Sequence, residues 1–193
     1  MGHVHLRYIF FFALFALAAS CSKPKSSIAV SSSPTPPTTQ ASPVPDNFAC
    51  MLLTKEEVEA VQGEPFKDTK PSGQSAAGLL VSQCYFETPM PVNSVVLTVT
   101  RKADSGGEPK ESWREIFHRE GPSRKKEEAE EEKQPLKIDG LGDEAFWTGT
   151  RVGGALYVLK GNCYIRISVG GAGSPEQKIE KSKTLAADVL KRL

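Results

Sequence analysis

The chain has 193 residues and a nearly balanced charge, with 24 lysine and arginine residues against 23 aspartate and glutamate residues. Proteins that bind nucleic acids carry a basic excess or a basic patch, so this balance argues against a nucleic-acid partner. The length and the 39% of hydrophobic residues are sufficient for one folded domain with its own core.

The N-terminal segment has the composition of an export signal. Residues 1–7 carry Arg7 and no acidic residue, and the following 12 residues, 8–19, are uncharged and mostly apolar. A membrane-spanning helix needs about 20 apolar residues, whereas the apolar part of a signal peptide needs about 7 to 15. The sequence therefore predicts a signal peptide over residues 1–20 rather than a permanent membrane helix.

The run Leu17-Ala18-Ala19-Ser20-Cys21 resembles a lipobox, the cleavage and acylation signal of bacterial lipoproteins. The resemblance implies that Cys21 becomes the mature N-terminus and carries acyl chains such as palmitate, and two or more such chains anchor a protein stably to a membrane. The alternative is an ordinary secretory signal followed by a chance cysteine. We expect an exported protein that is lipid-anchored to the bacterial membrane, on its periplasmic side or at the cell surface.

Residues 22–46 form a segment of biased composition. Sixteen of these 25 residues are serine, threonine or proline, and a segment with so little to bury is typically disordered. Together with the lipidated cysteine, residues 21–46 are predicted to be a tether. It would hold a single globular domain, residues 47–193, away from the membrane surface.

Helix signals occur at three places in the domain. Thr54 with Glu57, and Ser174 with Gln177, have the spacing of capping boxes, in which the two side chains satisfy free backbone N–H groups at a helix start. Residues 111–119 have apolar side chains on one helical face. The sequence therefore predicts two capped helices and a third, amphipathic helix between them.

Strand signals occur in segments where apolar and polar residues alternate. The predicted strands are residues 79–87, residues 94–101, a strand after the turn at Asp139, residues 155–160 and residues 163–169. We therefore predict an α+β fold with an antiparallel sheet of about five strands. The sheet is built from two hairpin–helix units, and the helices pack on one of its faces.

Residues 124–133 are the most charged stretch, with nine charged residues in the sequence RKKEEAEEEK. Runs of this kind are typical of a solvated loop or helix extension. The alternative is a strip that docks a partner or binds cations. We expect solvated surface here.

Three features of the domain resemble an uncharacterised family of bacterial cell-envelope lipoproteins, many of them actinobacterial. They are the opening C-x-L-L-T-x-x-E-V at residues 50–58, a strand cysteine at Cys84, and the turn G-L-G-D-E-A at residues 140–145. The resemblance implies an α+β fold and a disulfide between Cys50 and Cys84. It implies no activity, because the family has none assigned.

The cysteine count leaves a second pairing open. With Cys21 lipidated, Cys50, Cys84 and Cys163 remain, so at most one intramolecular disulfide can form in the oxidising exported compartment. A bond between Cys50 and Cys84 would staple the incoming chain onto the sheet and leave Cys163 as a buried thiol. The rival bond, Cys84–Cys163, requires that their strands be neighbours.

Few residues of the mature chain could carry catalysis. His118 is the single histidine after residues 1–20, which argues against histidine-rich metal sites, and we expect it at the surface. Asp139, Asp143 and Glu144 form a possible ligand site, since paired carboxylates can exchange protons or bind Ca²⁺. Alternatively they only shape the turn, with Asp143 accepting backbone hydrogen bonds. We predict no enzyme activity, no cofactor and no metal.

Three functions remain open. The favoured function is a membrane-anchored envelope lipoprotein with a non-catalytic domain that binds a protein, a glycan or a small ligand. The second is a carrier of a lipid or another apolar ligand, which would need a large apolar cavity. The third is a hydrolase using the carboxylates near Asp143, which would need a cleft with a raised carboxylate pKa.

Overall fold

The computed structural model describes residues 47–104, 106–118, 134–150 and 153–193. The predicted signal peptide, the lipidation site Cys21 and the tether lie outside the described residues, as does the charged run at residues 124–133. No helix among the described residues is long and apolar enough to cross a membrane.

The described residues form one mixed α and β structure. The α-helices are α1 (Lys55–Gln62), α2 (Pro109–Phe117) and α3 (Pro175–Arg192). The strands are β1 (Asp68–Ala76), β2 (Leu79–Glu87), β3 (Val95–Lys102), β4 (Leu136–Lys137), β5 (Glu144–Gly149), β6 (Gly154–Lys160) and β7 (Cys163–Val169). They make a single sheet in the order β1-β2-β3-β7-β6-β5-β4, with every neighbouring pair antiparallel.

The prediction of about five strands is wrong, because the described residues contribute seven strands to this sheet. The two that were missed, β1 and β4, are the outermost strands. β1 has the sequence DTKPSGQSA, whose proline and glycine are typical of a loop, and most of its residues are exposed. Its strand conformation comes from backbone pairing with β2, and an edge strand tolerates Pro71 because one side of its backbone needs no partner. β4 has only two residues, too few for any pattern.

The hydrophobic core lies on one face of the sheet. One row of this face runs across four strands through Cys84, Leu97, Ile167 and Leu156, all of them fully buried. α3 packs on the β6 and β7 part of the row with Leu185, Ala186 and Val189, which are also fully buried. The predicted capping boxes are confirmed at the starts of α1 and α3. Burial of this apolar surface is the main stabilising contribution to the fold.

The helices do not all pack on one face, so that part of the prediction is wrong as well. α1 and α3 contribute to the core, whereas α2 packs on the opposite face of the sheet. The indole of Trp113 in α2 lies 5.8 Å from the ring of Tyr164 in β7. Successive strand residues point to opposite faces, so Tyr164 faces away from the core that Ile165 faces. Periodicity marks the apolar side of a helix but does not specify which sheet face it covers.

A disulfide joins the incoming chain to the sheet. The pairing of Cys50 with Cys84 is confirmed, and the two Cα atoms lie 5.0 Å apart. The rival pairing is excluded because β3 lies between the strands that carry Cys84 and Cys163. Cys163 keeps a free thiol that is half-buried rather than fully buried, and burial raises its pKa. Next to the disulfide, the guanidinium of Arg101 lies 3.6 Å from the ring centre of Phe48 and secures the same segment.

Candidate functional site

An aromatic cluster covers part of the sheet face that the core does not use. It consists of Trp113 and Phe117 from α2 and Phe146, Tyr157 and Tyr164 from three neighbouring strands. The ring of Phe117 stacks on Phe146 at 4.7 Å between centroids and meets the edge of Tyr157 at 5.3 Å. Rings at these separations attract each other beyond the effect of burial alone.

Trp113 is the residue through which α2 is attached to the sheet. Its side chain is 1% exposed, the lowest value in the aromatic cluster, although it lies outside the main core. One turn of helix separates Trp113 from Phe117, so both rings point to the sheet. Beside Trp113, the hydroxyls of Ser112 and Tyr164 lie 3.2 Å apart and form a hydrogen bond. The helix is therefore held by rings and by polar contacts together.

Glu144 is the polar centre of this region. One carboxylate oxygen, Oε2, accepts two hydrogen bonds. One comes from the indole N–H of Trp113 at 2.6 Å and the other from Nε2 of His118 at 2.8 Å. Burial raises the pKa of Glu144, but the hydrogen bonds from His118 and Trp113 act in the opposite direction and outweigh it. The net pKa lies below its usual range, so this carboxyl is an anion at neutral pH. The anion orients both the indole and the imidazole.

A cleft of about 370 Å³ opens beside Glu144 and His118. Its walls are Lys110, Trp113, Arg114 and His118 from α2 and its C-terminal end, with Glu144 and Leu159 from the sheet. Lys110, Arg114 and His118 are spaced by four residues, so they follow one side of the helix. Leu159 is the cross-strand neighbour of Glu144 and supplies an apolar patch to the floor. The volume lies at the lower end of the range for small-molecule sites.

Asp143 has a structural position between two turns. Its carboxylate accepts a hydrogen bond from the backbone N–H of Gly161 at 2.7 Å, and its own N–H donates to the carbonyl of Leu159 at 2.8 Å. The preceding residue, Gly142, has φ +58°, and a Cβ there would lie 2.3 Å from the Leu159 carbonyl oxygen. A side chain at Gly142 would thus prevent the close approach that lets Asp143 reach the β6–β7 turn.

Asp139 lies apart from the other two carboxylates. It is exposed and borders a second cleft of about 270 Å³ between the β4 segment and α3, where Ile179 and Lys183 are among its neighbours. No group of three histidine, cysteine or acidic side chains within the described residues is arranged to hold a metal ion. Asp139, Asp143 and Glu144 therefore have three different surroundings and do not form one joint site.

The contact between His118 and Glu144 was not expected from the sequence. The two residues are 26 positions apart, and the sequence interpretation left His118 as an isolated surface residue. Its side chain is 45% exposed, but the imidazole is paired. Two sequence patterns bear on this contact: Trp113 and Phe117 share one face of α2, and Glu144 and Phe146 share one face of β5. They predict the contact only if α2 is known to cover that face of the sheet.

Comparison of the chain with protein-family models, with curated proteins and with solved structures returned no match. The resemblance to envelope lipoproteins, carried by residues 50–58, Cys84 and residues 140–145, therefore stays a prediction.

Proposed function

We propose that the protein is a lipid-anchored bacterial envelope protein whose domain is a non-catalytic binding module. The signal-like N-terminus, Cys21 and the tether of residues 22–46 support the anchoring. The Cys50–Cys84 bond is compatible with this location, because disulfides persist in exported compartments and are rare in reducing ones.

The observation that carries the binding role is the aromatic cluster with its adjacent cleft. Phe117, Phe146 and Tyr157 remain partly exposed on a sheet face that the core does not need. Ile116, on the outer side of the same helix, is 48% exposed. Partly exposed apolar groups beside oriented polar groups are typical of surfaces that bind a ligand or a partner. We place the binding surface at α2, and the proposed partner is an envelope protein, a glycan or a small ligand.

The chemistry of the cleft supports a non-catalytic role over the hydrolase alternative. A general acid needs a carboxyl whose pKa is raised toward neutrality, whereas the pKa of Glu144 is lowered. Its acceptor oxygen is already occupied by Trp113 and His118. Among the residues that line this cleft, none is a serine, threonine or cysteine that could serve as a nucleophile.

The packing of the core gives no support to the carrier alternative. A carrier needs an apolar cavity between the sheet and its helices, and here the space is filled by side chains. Leu97 and Ile167 from the sheet and Leu185 and Val189 from α3 are each fully buried in one continuous cluster. A lipid-sized ligand would have to displace these contacts, at a cost of several kcal/mol.

Photo-crosslinking in intact cells tests the proposed binding surface. A benzophenone amino acid placed at Ile116, on the exposed side of α2, is expected to form a covalent adduct with a discrete partner. The same group at Thr184, exposed on the outer side of α3, serves as the matched control. Adducts at position 116 and none at position 184 would support the proposal. Equal adducts at both positions, or none at position 116, would contradict it.

A further inference from the structure

We propose that the cleft beside α2 takes an organic anion, with a carboxylate or phosphate group held by Lys110 and Arg114. The apolar body of this ligand lies against Trp113 and Leu159. The inference rests on the proposed function, because it names the chemistry of the ligand for the binding surface described above. It differs from that function in requiring a charge on the ligand.

Among the described residues, no acidic group lies in direct contact with the side chains of Lys110 and Arg114. Several basic side chains of the described surface form ion pairs, as Lys191 does with Asp188 and Arg192 with Glu57. The side chains of Lys110 and Arg114 line the cleft and form no ion pair or hydrogen bond with any residue that the structure describes. Glu108, two residues before Lys110, is in direct contact with Lys102 and with the side-chain amide of Asn162, and the charge of Lys110 acts on it without an ion pair.

Glu144 is the one carboxylate that lines the cleft, and it offsets only part of the charge of Lys110 and Arg114. The Glu144 oxygen that faces α2 accepts from both Trp113 and His118. The hydrogen bonds of this oxygen therefore go to the indole and the imidazole and not to Lys110 or Arg114. Two positive side chains against one carboxylate leave the cleft with a net positive charge. Arginine suits a planar carboxylate or a phosphate because its guanidinium can donate two parallel hydrogen bonds.

The remaining wall of the cleft is apolar and is formed by Trp113 and Leu159. Trp113 is 1% exposed and Leu159 is 8% exposed, so each presents only a small face to the cleft. The volume of about 370 Å³ admits a one- or two-ring body and leaves little room for a macromolecule. A ligand with an aromatic or short aliphatic body and one terminal anionic group satisfies both walls together. A neutral ligand of the same shape would leave the cations without a partner.

Three probes with one aromatic body test the inference: 2-naphthoate, 2-naphthyl phosphate and the neutral 2-naphthylmethanol. The protein is the mature chain, residues 21–193, carrying Cys21→Ala so that it cannot be acylated. Binding is followed by NMR through the indole N–H signals of Trp113 and Trp147. Trp147 is 6% exposed on the core face and reports on effects away from the cleft.

We expect at least one anionic probe to bind about tenfold more tightly than 2-naphthylmethanol, as charge-assisted hydrogen bonds require. The Trp113 signal should shift and the Trp147 signal should stay in place. The double variant Lys110→Gln with Arg114→Gln should lose the preference for the anion. The matched control is Lys183→Gln with Lys191→Gln, two lysines of α3 on the other face of the sheet, and it should keep the preference. The comparison of naphthoate with naphthyl phosphate shows which anionic group is preferred.

Equal affinity for all three probes at Trp113 would overturn the inference while leaving the cleft as a binding surface. An anion preference that survives in the Lys110 and Arg114 double variant would overturn it as well. If no probe shifts the Trp113 signal, the cleft is not an organic-anion site. The in-cell adducts at Ile116 then decide separately whether α2 still binds a partner.

Discussion

Replacing both Cys50 and Cys84 by alanine is expected to lower the free energy of unfolding by about 4 kcal/mol. The disulfide joins residues separated by 34 positions, and without it the unfolded chain gains the freedom of that loop. The segment that it secures also buries Ala49, Leu52 and Leu53 against the sheet. Urea unfolding of the purified protein, followed by circular dichroism, measures the change.

The control for this prediction is Cys163→Ala, which removes a free and half-buried thiol. It should change the free energy of unfolding by less than about 1 kcal/mol. A double variant with Cys50→Ala and Cys84→Ala that is as stable as the wild type would contradict the stapling role. The wild type should also be less stable to urea under reducing conditions than under oxidising conditions. Equal free energies of unfolding under both conditions would show that the bond is absent.

Trp113→Ala is expected to lower the free energy of unfolding by about 3–5 kcal/mol, the usual cost of removing a large buried aromatic ring. The indole is 1% exposed and contacts Phe117, Phe146 and Tyr164. Its loss leaves a cavity under α2 and frees Glu144 from one donor. The midpoint of urea unfolding measures this change, and loss of the stacked ring contacts can be followed by near-ultraviolet circular dichroism.

Trp113→Phe is the matched variant, since it keeps an aromatic ring but removes the N–H that Glu144 accepts. We expect it to cost about 1–2 kcal/mol, the range for one hydrogen bond to a charged group plus a partial cavity. If Trp113→Ala and Trp113→Phe were equally mild, with losses under about 1 kcal/mol, α2 would not be attached through this ring.

Local sequence patterns were sufficient to predict the helices and strands whose signals lie within a few neighbouring residues. Thr54 with Glu57 and Ser174 with Gln177 mark helix starts because both halves of each capping box lie within one turn. The alternation in β3 predicts that Val95, Leu97 and Val99 share one face, and in the structure all three are fully buried. Such patterns depend only on residues that are close in the chain.

The missed features depend on contacts between distant segments. β1 is a strand because β2 offers it backbone partners, and its own residues carry no apolar alternation. The side of the sheet that α2 covers depends on which rings of β5, β6 and β7 face away from the core. The candidate site follows from that choice, since Trp113 and His118 reach Glu144 only across the second face.

The lipid anchor at Cys21 is the central claim of the proposed function, because it determines where the domain meets a partner. Growth of the native bacterium with an alkyne-bearing fatty acid, followed by fluorophore attachment to the purified protein, tests it directly. We expect label on the wild type, membrane fractionation of the labelled protein, and no label on Cys21→Ser. A wild-type protein that carries no label and stays soluble after lysis would contradict the anchor at Cys21.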